Sequence, residues 1–227
     1  MPCTVYAFDA YGTLYDVHAA VARHRDAVGP QAAAISALWR VKQLEYTWIR
    51  TMTGTYRDFR ALAAEALDYA AALNGGISAD TRANLLAAYE RLDAYPDVKT
   101  TLRALKERGL KTAILSNGTP AMLAAAADAA GIGDLLDATL SVDSLKCFKA
   151  RREVYELVTT HFHVSPEDVS FQSTNRWDLA AGAHFGFRAV WINRTGAPPE
   201  YDDMSAAFTL PSLEPLAAFE TLAAPGG

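Results

Sequence analysis

Only two cysteines, Cys3 and Cys147, occur in 227 residues. That is too few for a disulfide framework and suits a chain whose thiols stay reduced. Basic residues are short as well: 21 Lys and Arg face 26 Asp and Glu, a formal charge of −5. Without a basic surplus there is little to hold a polyphosphate backbone, which sets nucleic acid aside as a partner. No apolar run approaches the roughly 18 residues a membrane span needs. The apolar stretch 5–8 is brief and closes on Asp9, unlike the core of a signal peptide. A soluble, cytoplasmic protein is the expectation. What the chain does have is apolar substance, 51% of its residues, enough for one core with room for an inserted subdomain.

Against an alanine-rich background stand short runs of β-branched and aromatic residues at 5–8, 112–115, 138–142, 169–171, 189–192 and, weakly, 207–210. Each reads as a strand buried on both faces. From residue 97 onward they alternate with helical segments near 97–108, 119–130, 151–161 and 178–185, and Gly109, Gly131 and Gly186 stand where C-terminal caps belong. Such alternation predicts an α/β fold, a parallel sheet with helices on both faces. Between the first two runs no strand is evident, and segments near 16–28, 34–51, 56–73 and 79–92 predict a four-helix insertion. Its second helix carries a stripe of Leu38, Val41, Leu44 and Trp48, broken only by Glu45. Asn74-Gly75-Gly76 makes a loop inside the insertion, and Tyr95-Pro96-Asp97 marks the return. The expected division is a core of residues 1–15 and 96–227 with a helical subdomain of residues 16–95. The closing Ala-Ala-Pro-Gly-Gly reads as a frayed tail.

Ligands of open parallel sheets sit beyond the carboxyl ends of the strands. The polar residues there are Asp9 to Thr13, Ser116-Asn117-Gly118, Asp143 to Lys149, and Ser173 to Asp178. Any one set reads equally as a cap or turn, whereas four at successive strand ends suggest a site. A carboxylate such as Asp9, at the end of an apolar strand and before a glycine turn, can be held rigid for nucleophilic attack. Ser116 and Asn117 can offer donors to an anion. Lys149 reads as a surface lysine or a site residue, with Lys146 competing for the role, and Arg40 as a snorkelling group or an anion ligand. Asp178 reads as a helix-start acid or, with Asn175 before it, a site member. His161, His163 and both cysteines read as packing or surface groups. Tyr46, Trp48, Tyr56 and Phe59 read as core, although Phe59 could face a cleft.

The runs Phe8-Asp9-Ala10-Tyr11-Gly12-Thr13-Leu14, Leu115-Ser116-Asn117-Gly118, Lys149 and Ser173-Thr174-Asn175-Arg176-Trp177-Asp178 resemble the four motifs of the haloacid dehalogenase superfamily. The segment from Leu38 to Trp48 is similar to the first cap helices of its L-2-haloacid dehalogenases. The resemblance implies a Rossmann-like core, an inserted helical cap and a homodimer. Where the superfamily's phosphatases carry a second Asp beside a Mg²⁺ ion, this chain has Tyr11, which cannot supply a carboxylate. A halide leaving group needs no proton, so the loss suits dehalogenation.

The implied reaction is attack of Asp9 on C2 of a short (S)-2-haloacid, giving an aspartyl ester, halide and, after hydrolysis, an (R)-2-hydroxyacid, with neither metal nor cofactor. Arg40 and Asn117 match the halide-binding positions. Lys149, Asn175 and Asp178 would position Asp9 and water, a lysine beside a carboxylate favouring its ionised form. Ser116 would hold the substrate carboxylate, supported by Thr13, Tyr155 and Ser173, while Tyr11, Leu44, Phe59 and Trp177 would wall the apolar group. The chain departs from the pattern with Ala150 in place of Pro after the lysine, Thr174 in place of Ser, and Arg176 where a small residue is usual. A Mg²⁺-dependent phosphatase and a non-catalytic binder of small acids are the alternative readings.

Overall fold

The structure is a computed structural model that describes residues 3–204 and 206–218; the Ala-Ala-Pro-Gly-Gly close lies outside them. The chain enters through β1 (Val5–Phe8), then α1 (Ala19–Arg23), α2 (Arg25–Val28), α3 (Ala32–Thr53), α4 (Phe59–Leu73) and α5 (Ala79–Tyr89). It returns through α6 (Val98–Glu107), β2 (Lys111–Ser116), α7 (Pro120–Ala130) and β3 (Ala138–Ser141). The remainder is α8 (Arg152–Phe162), β4 (Val169–Ser173), α9 (Arg176–Phe185), β5 (Arg188–Ile192) and β6 (Phe208–Leu210).

Six strands pair in the order β3-β2-β1-β4-β5-β6, every pair parallel. Connections run outward from β1 in one direction and from β4 in the other, so right-handed crossovers place α6 and α7 on one face and α8 and α9 on the opposite one. β1 and β4 meet at the reversal and are buried along their length. The expectation of strands covered on both faces holds for them but not for β3 and β6, which are edge strands with one exposed residue each. Beneath β4 the rings of Tyr155, Phe171, Phe185 and Phe187 interlock, centroids 5.0–6.1 Å apart. No helix among the described residues is long and apolar enough to cross a membrane.

Local chemistry explains the helix ends. Asp58, Ser78 and Thr119 accept hydrogen bonds from Ala61 N, Thr81 N and Met122 N, capping α4, α5 and α7. Gly131 and Gly186 close α7 and α9 in the left-handed conformation. The insertion has five helices where the apolar pattern predicts four, because the first segment breaks at His24, the C-cap of α1 and N-cap of α2. On α3 the predicted stripe is not the buried one: Val41 and Trp48 are exposed. The face turned inward carries Ile35, Trp39, Gln43 and Thr47, while Leu38 and Leu44 of the predicted stripe are half-buried at its edge, so the helix has apolar residues on two sides.

The two passages between sheet and insertion are fastened together. Leu14 O accepts from Tyr95 N (3.0 Å) and Asp93 O from Asp16 N (2.9 Å). The guanidinium of Arg194, just after β5, donates to both Asp97 oxygens (2.9 and 3.0 Å) and to Thr13 O (3.1 Å), and lies 4.0 Å from the Tyr95 ring centroid. Leu213 N also donates to Asp97 (2.7 Å). Asp97→Ala leaves this partly buried arginine and Leu213 N without their carboxylate, a loss of about 3 kcal/mol. In a chain this size that lowers Tm by roughly 6–12 °C; calorimetry showing a smaller drop would rule out the clasp as a main support.

Candidate active site

The carboxyl ends of β1 and β4 bring the polar residues together at the reversal point. Asp9 N donates to Gln172 O (2.9 Å), which continues the β1–β4 ladder and holds the residue at the sheet's end. Gly12 follows with φ +95°, a left-handed turn that L side chains disfavour. Through this turn Thr13 comes back under Asp9.

Four donors grip the Asp9 carboxylate. Lys149 Nζ meets Oδ1 at 3.0 Å, while Oδ2 accepts from Asn175 Nδ2 (2.7 Å), Thr13 Oγ1 (3.2 Å) and Ser173 Oγ (3.4 Å). Lys149 Nζ also reaches Asp178 Oδ2 at 2.7 Å, and Tyr155 donates to Asp178 Oδ1 at 2.8 Å. The lysine and both carboxylates are buried. Burial by itself would push the Lys149 ammonium down, but Asp178 and Asp9 outweigh it and hold the amine above its ordinary range. Burial pushes the Asp178 carboxyl up to about 6, against the pull of Lys149.

Above the carboxylate lies a cavity lined by Asp9, Tyr11, Arg40, Leu44, Phe59, Ser116, Asn117 and Trp177. Its volume is about 10 Å³, room for about one water, so its walls must part to admit a larger guest. Arg40 comes from α3 and donates to Tyr11 O (3.0 Å) and Asn175 Oδ1 (3.5 Å). Asn117 Oδ1 is taken by Lys149 N (3.0 Å), which leaves its amide nitrogen as the donor for an anion. Ser116 Oγ accepts from Gly118 N (3.1 Å). A Cβ at Gly118 would lie 2.9 Å from the Tyr11 ring, so only glycine lets that ring close over the strand end. The Tyr11 hydroxyl is buried without a partner, and burial raises it well above the usual phenol range.

Every residue expected at the site from sequence is therefore either in this cavity wall or bonded to its carboxylates. Thr13, Ser173 and Tyr155 belong to the second group: they touch Asp9 or Asp178 and do not line the cavity. Lys146 is exposed and pairs with Asp143 at 3.0 Å, leaving Lys149 as the lysine on Asp9. Trp48, expected in the core, stands exposed with its ring edge-on to Trp177, centroids 5.6 Å apart. Thr174 N donates to Thr13 Oγ1 (2.9 Å), and Arg176 is buried against Trp191 with a bond to Glu200 O. Sequence reasoning missed the backing of Tyr11: the Tyr89 ring stacks on it at 5.6 Å and 9°, and the Tyr89 hydroxyl donates to Gln43 Oε1 (3.0 Å). Trp39 and Gln43, four residues apart on α3, were the available signal for that inner face. Among the described residues no three His, Cys, Asp or Glu side chains converge as a metal site.

Comparison with known proteins bears on this geometry. The family model for haloacid dehalogenase-like hydrolases matches residues 3–186. The chain belongs to the haloacid dehalogenase-like hydrolases. It is 44% identical over 216 residues to (S)-2-haloacid dehalogenase 1 of Pseudomonas sp. (strain CBS-3), covering 95% of each chain. With (S)-2-haloacid dehalogenase 4A of Burkholderia cepacia it shares 47% over 198 residues, covering 86% of this chain and 85% of the relative. The solved L-2-haloacid dehalogenase from Xanthobacter autotrophicus with chloropropionic acid covalently bound superposes with a TM-score of 0.86 at 34% identity, covering 95% of this chain and 97% of that one. Within its family the chain is thus placed in the L-2-haloacid dehalogenase branch.

As a member of that branch it has an acidic group set to titrate unusually high. Asp178 has a folded pKa above its unfolded value, so it binds its proton more tightly when folded, and its own contribution to stability shrinks as pH rises from about 4 to about 6. A carboxyl ¹³C signal that disappears in Asp178→Asn should titrate with a midpoint near 6; a midpoint near 4 would contradict the buried placement.

Proposed function

We propose that this protein hydrolyses short (S)-2-haloacids to (R)-2-hydroxyacids through an ester on Asp9. The observation that carries the reading is the unequal grip on Asp9: Oδ2 has three donors, Oδ1 only Lys149. Oδ1 is the freer oxygen and faces attack on C2, forming the C–O bond as the C–halogen bond breaks and inverting the carbon. The halide leaves with its electron pair toward Arg40 and the Asn117 amide, a charge-assisted cradle. Ser116 and neighbouring backbone donors take the substrate carboxylate, and Tyr11, Leu44, Phe59 and Trp177 surround the C2 substituent.

Hydrolysis then follows at the carbonyl carbon of Asp9. Oδ2 becomes the ester carbonyl oxygen, and its developing charge falls on Asn175, Thr13 and Ser173. Asp178, with a carboxyl pushed up to about 6, suits a base that takes the water's proton near neutral pH and returns it to Oδ1 as the Cγ–Oδ1 bond breaks, so the 2-hydroxyacid leaves with Oδ1 and the water oxygen stays on Asp9. Lys149 keeps both carboxylates aligned, and Tyr155 fixes the far side of Asp178. The covalently bound chloropropionic acid in the Xanthobacter relative supports an ester of this kind.

Three further assignments accompany this reading. Residues 16–95 act as a cap that brings Arg40, Leu44 and Phe59 over a core of residues 1–15 and 96–227. The exposed apolar residues Val41, Ile49 and Met52 of α3 and Tyr69 and Leu73 of α4 support a homodimer packed through these helices. The free thiols of Cys3 and Cys147 support a reducing, cytoplasmic setting.

Halide release from (S)-2-chloropropionate in EDTA is expected, with little from the (R) enantiomer and no phosphate from a monoester supplied with Mg²⁺. No halide from either enantiomer overturns the reading. In a single turnover in ¹⁸O-water the label should enter Asp9 first and reach product only in later turnovers; label in the first product would exclude the ester. Asp9→Asn should abolish turnover, a loss of at least about 10⁴-fold, with an unchanged circular dichroism spectrum.

A further inference from the structure

Beyond the cavity, a second set of contacts joins the inserted helices to the loop that carries Lys149. Tyr56, between α3 and α4, donates to Asp143 Oδ1 at 2.6 Å. Asp143 lies in the turn after β3, where its other oxygen accepts from Lys146 Nζ at 3.0 Å. The Lys146 ammonium also lies 5.1 Å from the Tyr56 ring centroid. The same ring stacks on Phe148, centroids 5.1 Å apart and 27° between planes. Phe148 is fully buried, and its backbone N–H donates to Thr51 Oγ1 at 3.0 Å. The next residue is Lys149.

We infer that Tyr56 and Asp143 form a latch through which the helical insertion aims Lys149 at Asp9, making both of them positioning residues for the reaction. The inference rests on the function proposed above. Its physical basis is the shortness of the path. Two points of the insertion, Thr51 and Tyr56, hold the backbone and ring of Phe148, and Lys149 extends from it to Asp9 at 3.0 Å and Asp178 at 2.7 Å. On the sheet side the loop is tied by Asn117 Oδ1 to Lys149 N and by Ser141 Oγ, which accepts from Asp143 N and donates to Gly118 O. The loop therefore spans both parts, and the lysine takes its place only when both hold it. Ala150, not proline, follows Lys149, so the turn has no ring to stiffen it and depends on these side-chain ties. Tyr56 and Asp143 are each only half-buried, but their bond is short and flanked by a cation and a stacked ring. Such a network has an energy larger than an isolated surface pair.

A latch that aims the lysine acts on turnover more than on substrate binding, because Arg40 is held by Tyr11 O and Asn175 Oδ1, outside the latch. In Tyr56→Phe, which keeps the stack and removes only the hydroxyl, kcat for halide release from (S)-2-chloropropionate is expected to fall about three- to tenfold with KM within about twofold. Asp143→Ala, which removes the acceptor, should match it, and the double variant should be no worse than the weaker single, since both remove the Tyr56–Asp143 bond. Thermal melts establish that each variant is folded at the assay temperature. Amide hydrogen exchange supplies a readout independent of catalysis: Phe148 and Lys149 N–H should exchange faster in Tyr56→Phe, whether or not halide release is the activity. A wild type that releases no halide refutes the function alone. Unchanged kcat in the folded single variants, additive losses in the double variant, or unchanged exchange at Phe148 and Lys149 refutes the latch.

Discussion

The buried bridge of Lys149 between Asp9 and Asp178 is the constraint around which the rest is arranged. Two carboxylates inside a low-dielectric interior repel and resist ionisation. One ammonium within 3.0 and 2.7 Å makes the arrangement tenable, and the sheet, the insertion and the loop after β3 each contribute to placing it. Breaking a buried pair is far more costly than the pair is worth against an apolar substitute. The triad is accordingly explained by reactivity better than by stability. In the proposed reaction it keeps Asp9 and Asp178 within one lysine's reach of each other.

Sheet order decides where such a cluster can exist. Because connections diverge from β1 and β4, no helix covers the crevice between their carboxyl ends, and residues from four strand ends converge there. The inserted helices then close the crevice from above with aromatic and aliphatic side chains. Tyr11 mediates between the two parts: its ring rests over Gly118 and against Phe59 and Tyr89, and its carbonyl receives Arg40. Where a phosphoryl-transfer site needs a carboxylate, this position holds a buried phenol, which fits a reaction whose leaving group takes no proton.

Much of this was legible in the sequence because it depends on local pattern. Short β-branched runs and glycine caps marked the strands and helices of the core within a residue or two, and polar clusters at strand ends marked Asp9, Asn117, Lys149, Asn175 and Asp178. What was not legible depends on direction in space. The stripe from Leu38 to Trp48 had the right period but a mixed face, Leu38 and Leu44 turned toward core and cavity and Val41 and Trp48 exposed, since α3 is apolar on two sides and periodicity cannot rank them. β3 looked like a central strand because edge position is a matter of sheet order rather than of its own residues. Residue pattern alone left Lys146 and Lys149 competing and only the family resemblance chose Lys149; the loop places Lys146 in solvent and Lys149 against Asp9. The Arg194–Asp97 clasp joins positions 97 residues apart, and no local signal could have paired them.

A cavity with room for one water has a consequence for how the protein selects its guests. Little contact area is on offer before the walls part, so a candidate molecule is sorted first by the cost of dilation. A small haloacid asks for a brief excursion of side chains such as Trp177 and Leu44, which are half-buried at the boundary. A bulky one asks for movement of rings already locked by stacking, and that cost rises steeply in a close-packed interior. The tighter the resting cavity, the more of a guest's size is registered as the cost of parting its walls.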